Sequence, residues 1–249
     1  MHFIERKGRG PAVVCVHGFC QSSAYWAPTV ERLAAQGVLA LAPDLPGFAG
    51  SATEAGPYTV TGLADALAAW LDARGLREIV LVGGSMGGVV ALHFVLRHPS
   101  RVLRLLLVAT GAATADPAGA LARAEALAAA PWNEETVGPL VAGFFYRAPP
   151  AEQLQKYRAI ALSASQSAAA EAARSNATSS TLDDLGKIAT GVLIVQGRHD
   201  RVRTPEHGAT MRDRIRGARL EVIEDAGHTP HLEQPENFHG IAMPFLLAP

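Results

Sequence analysis

One stretch constrains this chain more than any other: Ile79-Val-Leu-Val-Gly-Gly-Ser85-Met-Gly-Gly-Val-Val-Ala-Leu92. The apolar run Ile79–Val82 reads as a short buried strand, and Gly87–Arg97 as a helix. Between them lies Gly-x-Ser-x-Gly. A strand that turns so abruptly into a helix needs small neighbours, and Gly83 and Gly87 provide them. Ser85 is then expected on a strained turn at the C-terminal end of a sheet, where the helix dipole favours developing negative charge. A glycine-rich turn can also be a mere connection, so the strand–turn–helix setting carries the argument.

The rest of the chain fits around that turn. Residues 11–17, 38–42, 102–108, 192–196 and 220–223 read as further strands. Residues 24–36, 59–74, 205–215 and 235–247 read as helices, with Gly37 and Gly75 as stops. Strands that are apolar on both faces and alternate with helices imply a parallel sheet covered on both sides. Residues 111–187 break the pattern. Eleven of residues 112–130 and nine of residues 159–177 are Ala, and no strand-like run intervenes. Alanine with Leu at helical spacing predicts helices there. The expected organisation is a core of residues 1–110 and 188–249 with a helical cap, 111–187, inserted in it. The large apolar residues of the insertion are Trp132, Phe144, Phe145, Tyr146 and Tyr157. Packing onto the core is their default role. Trp132, Phe144, Phe145 and Tyr146, with Cys20, are also the candidates for lining a substrate pocket.

A serine hydroxyl is a poor nucleophile unless a base takes its proton. Asp200 lies four residues past the strand 192–196, and His228 five past 220–223. The order Ser85, Asp200, His228 is the one this class of fold uses. His228 is expected to relay the proton and Asp200 to orient the imidazole. Asp116, after the strand 102–108, is the rival acid. His199 and His231 are read as surface or supporting residues, and Glu224 and Asp225 as too near His228 in sequence to orient it. The backbone N–H groups of Phe19 and Met86 are the candidates for an oxyanion hole. His17 is read as a structural residue of that loop. Cys20 lacks the setting of a nucleophile.

Composition sets the remaining bounds. Of the 249 residues 49% are apolar and 18% charged, with net charge −1. No basic run suggests nucleic acid or an anionic membrane as partner. The start of the chain has no apolar signal core, and no apolar run is long enough to span a bilayer. Cys15 and Cys20 have neither metal-ligand spacing nor a disulfide framework, which fits a reduced, cytoplasmic protein. No metal or cofactor motif appears, because the glycine-rich turn lacks a phosphate-loop Lys and the dinucleotide pattern. A small-molecule substrate is therefore expected. Oligomeric state is not readable.

His17-Gly-Phe, Pro43-Asp-Leu-Pro-Gly47, Gly83-Gly-Ser-Met-Gly-Gly88, Gly197-Arg-His-Asp200 and Gly227-His-Thr-Pro-His-Leu-Glu-Gln-Pro235 together resemble the α/β-hydrolase superfamily. The resemblance implies an eight-stranded, mostly parallel sheet with a helical cap over the active site. Phe19-Cys-Gln-Ser-Ser differs from the Gly-Pro-Gly-like stretch of meta-cleavage carbon–carbon hydrolases. Val89 stands where the menaquinone-pathway synthases have Arg, and Ser85 where haloalkane dehalogenases have Asp. What remains resembles esterases, enol-lactonases and cofactor-free perhydrolases. The expected function is hydrolysis of a carboxylic ester or lactone through acyl-Ser85. Carbon–carbon cleavage or elimination by the same triad, and non-hydrolytic ligand binding, are the alternatives. Arg147 and Lys156 are the charges nearest the aromatic residues, so a neutral, mostly apolar substrate is expected, with Arg147 solvated.

Overall fold

The computed structural model describes residues 1–248. Its strands are β1 (Phe3–Arg6), β2 (Arg9–Val16), β3 (Val38–Pro43), β4 (Ile79–Gly84), β5 (Val102–Val108), β6 (Gly191–Gly197) and β7 (Arg219–Ile223). They form one sheet in the order β1-β3-β2-β4-β5-β6-β7. Only β1 runs antiparallel, beside β3, and all other pairs are parallel. The protein is thus an α/β fold. The sheet has seven strands among the described residues, not the expected eight. Only Lys7 and Gly8 separate β1 from β2, which leaves no room for a further strand there.

Strand residues alternate between two apolar layers, as a period of two requires. Val14, Leu81, Leu105, Leu107 and Ile194 face one side. There they meet Leu63, Leu67 and Leu71 of α2 (Val60–Ala73) and Val90 and Phe94 of α3 (Met86–Arg97). Val13, Val80, Val82, Leu106 and Val195 face the other. They pack on Val30 and Leu33 of α1 (Ala27–Ala35) and Phe238 and Phe245 of α10 (Pro235–Leu246). The helix expected over 24–36 begins as one turn of 3₁₀ helix, Ser23–Trp26, before α1. Pro28 suits the first turn of α1, where no N–H partner is needed.

Between β5 and β6 lie α4 (Pro117–Ala129), α5 (Glu134–Ala142), α6 (Ala151–Leu162) and α7 (Gln166–Thr178). Asp116, Asn133 and Ser165 cap α4, α5 and α7 by accepting from backbone N–H groups. That satisfies orphan donors at the helix starts. Ala168, Ala169 and Ala172 of α7 are buried. Val137, Val141, Phe144, Tyr157 and Ala161 join the same apolar cluster as α2 and α3. The insertion leaves and rejoins the sheet at one place, where Thr181 N–H donates to Ala112 O at 2.8 Å. The last elements are α8 (Pro205–Arg214) and α9 (Pro230–Glu233). Among the described residues, no helix is long and apolar enough to cross a membrane.

Candidate active site

Ser85 sits between β4 and α3 with φ 52° and ψ −121°. A non-glycine residue there costs on the order of 1–3 kcal/mol and persists only when its surroundings fix it. Here Ser85 N–H donates to Val108 O at 2.9 Å, and Thr110 Oγ1 donates to Ser85 O at 2.7 Å. The glycines permit the close approach. A Cβ on Gly87 would lie 2.4 Å from both Val16 O and His17 O, and one on Gly83 2.5 Å from Gly87 O. Ser85 itself is only partly buried.

The loops after β6 and β7 bring their side chains to this serine. His228 Nε2 lies 2.8 Å from Ser85 Oγ, and His228 Nδ1 lies 2.8 Å from Asp200 Oδ2. A carboxylate only accepts, so Nδ1 carries the hydrogen and Nε2 is free to accept from the hydroxyl. The other carboxylate oxygen, Asp200 Oδ1, accepts from the N–H groups of Val202 and Arg203 at 2.8 and 2.9 Å. Asp200 and His228 are buried, so the hydrogen bond between them is shielded from water.

The loop after β2 lies against the serine, and a Cβ on Gly18 would come within 2.9 Å of Ser85 Cβ. His17 fixes this loop. Its Nδ1 donates to Gly18 O at 2.8 Å and its Nε2 accepts from Leu45 N–H at 2.9 Å. Burial lowers its pKa, although Asp44 and the Gly18 carbonyl oppose that, so a neutral ring fits both bonds. Gly18 O is thereby turned toward His17, and Gln21 Oε1 takes Gly18 N–H at 2.9 Å. Neither Phe19 N–H nor Met86 N–H has a protein acceptor among the described residues, and Met86, at the first position of α3, has no intrahelical one. Asp44, of the Pro43–Gly47 motif, accepts from Ser23 N–H at 2.6 Å and Gly50 N–H at 3.1 Å. Sequence reasoning missed Gln21 and Thr110. Their side chains act on loop backbone, which leaves no spacing signal.

The rival residues lie elsewhere. Asp116 is exposed and caps α4, accepting from Gly119 N–H at 2.9 Å. Asp225 pairs with Arg147 at 3.2 Å, and Glu224 with Arg198 at 2.7 Å. His199 is exposed and stacks on Tyr146, centroids 3.7 Å apart. His231 is not a surface residue: it is buried and stacked on Trp26 at 4.1 Å.

The expected pocket residues divide. Phe144, Phe145 and Trp132 belong to the cluster that includes Met86 and partly buried Phe19. Phe144 lies 5.6 Å from the His228 ring, and Trp132 Nε1 donates to Leu162 O at 3.2 Å. Tyr146 does not join them, because it faces outward onto His199. Cys20 is wholly buried with φ 54°, and burial pushes its thiol pKa up. Tyr25, tilted against Tyr157 with ring centroids 4.5 Å apart, belongs with the aromatic group and was not anticipated.

Residues 13–240 match the alpha/beta hydrolase family. The chain belongs to that family. Among its relatives, pimeloyl-[acyl-carrier protein] methyl ester esterase of Neisseria meningitidis (serogroup A) is 31% identical, over 97% of this chain and 80% of that protein. The 2-hydroxy-6-oxo-6-phenylhexa-2,4-dienoate hydrolase of Comamonas testosteroni is 28% identical, over 99% and 91%. A thermophilic esterase from Thermogutta terrifontis superposes with a TM-score of 0.89 at 30% identity, covering 99% of this chain and 92% of that one. This alpha/beta hydrolase is therefore similar to esterases along its whole length.

Proposed function

We propose that the protein hydrolyses a carboxylic ester or lactone through an acyl-Ser85 intermediate. One observation carries this reading: the unbroken chain Ser85 Oγ, His228 Nε2, His228 Nδ1, Asp200 Oδ2, with both steps at 2.8 Å. Ser85 Oγ attacks the carbonyl carbon as its proton passes to His228 Nε2. Asp200 stabilises the resulting imidazolium. The oxyanion is received by Phe19 N–H and Met86 N–H. Collapse re-forms the carbonyl and breaks the bond between its carbon and the alkoxy oxygen, and the leaving alkoxide takes the proton from His228. Water, activated by the same imidazole, then releases the acid and restores Ser85.

Residues 111–187 act in this reading as a cap whose Phe144, Phe145 and Trp132 supply an apolar wall. The cap carries six basic and eight acidic residues. Arg147, Lys156, Arg158, Arg174 and Lys187 are each paired with a carboxylate. Such a surface offers little to a phosphate-bearing carrier arm, and it favours a free, small, mostly apolar ester. The similarity to the Comamonas enzyme raises carbon–carbon hydrolysis as a second reading, which the Phe19-Cys20 loop argues against. A panel of short- and medium-chain esters and lactones tests the proposal. Ser85→Ala is expected to abolish both turnover and labelling by a serine-directed phosphonate. Turnover retained in Ser85→Ala would overturn it.

A further inference from the structure

The loop that carries His228 has donors its own backbone does not satisfy. Gly227 N–H and Thr229 N–H flank the imidazole-bearing residue, and both donate to Glu233 Oε1 at 3.0 Å. Thr229 Oγ1 lies 3.1 Å from the same oxygen. The second oxygen, Glu233 Oε2, accepts from Tyr146 N–H at 2.7 Å. His228 N–H itself donates to Phe144 O at 2.9 Å. The two segments touch at backbone level, for a Cβ on Gly227 would lie 2.6 Å from Tyr146 N. One carboxylate thus receives donors from the His228 loop on one oxygen and from the helical insertion on the other.

We infer that Glu233 is a positioning residue that locks His228 and the backbone of Phe144–Tyr146, the segment that carries the Phe144 and Phe145 wall, into one unit. The inference rests on the acyl-serine reading for its effect on turnover. Glu233 has no hydrogen bond to Ser85, Asp200 or the His228 ring, so it acts through backbone. An ionised carboxylate suits the place because both its oxygens only accept. A Gln side chain has one accepting oxygen. That oxygen best serves the side where several donors converge, and its amide NH₂ then faces Tyr146 N–H donor to donor. Glu233→Gln therefore frees the wall while keeping the His228 loop, whereas Glu233→Ala frees both.

The test compares wild type, Glu233→Gln and Glu233→Ala as full chains. It uses a short-chain p-nitrophenyl ester, phosphonate labelling and amide hydrogen exchange. For Glu233→Gln, KM should rise about tenfold, the loss of one charge-assisted hydrogen bond, with kcat within about threefold of wild type. The Tyr146 amide should exchange faster while Gly227 and Thr229 stay protected. For Glu233→Ala, kcat should fall by about a hundredfold as the base is misplaced, and all three amides should lose protection. Gln, the conservative variant, thereby rescues kcat but not KM. Wild-type KM and Tyr146 protection in Glu233→Gln would overturn the inference, as would equal effects of both variants on kcat and KM. Should Glu233→Ala not fold, Glu233→Gln decides alone. Absence of turnover and labelling in wild type would sink the acyl-serine reading, and the exchange pattern would then decide the clamp by itself.

Discussion

His231 lies three positions after His228 and serves a different end. It is buried against Trp26 and Phe238. Burial, with the nearby charges of His239 and His228, lowers its pKa to about 3. The unfolded chain protonates this ring near pH 6.5, and the folded one does not until about 3. Between those values the unfolded state binds the extra proton, so stability is full above about 6.5 and falls as pH drops through the window. The contribution is at most about 1.4 kcal/mol per pH unit. Urea unfolding from pH 7 to 4 should show this slope, and His231→Phe, which keeps the stack on Trp26, should flatten it. An unchanged slope would refute the assignment. Asp200→Asn belongs to the same scale. It leaves the shape intact but favours the wrong imidazole tautomer, and kcat should fall by about 10⁴, read with the ester panel. Asp200 was legible in the sequence because it follows a strand end in a motif; the burial of His231 against Trp26 was not, since no spacing marks it. Glu233 and Gln21 were not legible either. Their work is to accept from loop backbone, in Glu233's case from Tyr146 far back in the chain, and no periodicity records that.

The strand–turn–helix around Ser85 is where a single atom has most effect on an element. A methyl group at position 87 would overlap Val16 O and His17 O, backbone atoms that cannot swing away. Gly87→Ala should thus push α3 off the end of β2 and relax the φ of Ser85. A destabilisation of about 2 kcal/mol, typical of overpacking, is expected in denaturant unfolding. Phosphonate labelling of Ser85 should also slow markedly. Full labelling at wild-type stability would show that the glycine is dispensable. Most strands and helices were readable because their apolar periods are long and end at Gly or Pro. β1 escaped because it is four residues long with no fully buried position. It is held as a strand by pairing with β3, a tertiary cause. The eighth strand was an expectation from resemblance, not from residues, and only the structure could correct it.

At the scale of the molecule, the question is whether the helical insertion behaves as a separate body. Its alanines suggested helices but not where they dock. The structure gives two seams. On one, Ser165 N–H donates to Gly47 O at 2.9 Å, Tyr58 N–H to Glu171 Oε1 at 3.1 Å, and Val60 N–H to Ser175 Oγ at 3.1 Å. On the other lie the Phe144 and Tyr146 bonds to the His228 loop and Glu233. Between the seams, Val137, Val141 and Tyr157 share one apolar cluster with the helices on the sheet. A body whose apolar face is continuous with the core cannot melt without exposing that core. Unfolding should therefore be a single transition despite the chain's size. Trp132 lies in the insertion and Trp26 and Trp70 in the core. With Trp26 and Trp70 replaced by Phe, the Trp132 fluorescence transition should coincide with that of far-UV circular dichroism. A Trp132 transition at lower denaturant would mean that the insertion opens alone. Glu171→Ala weakens only the first seam, by about 1 kcal/mol. It should lower both transitions together, since the two parts share one apolar cluster.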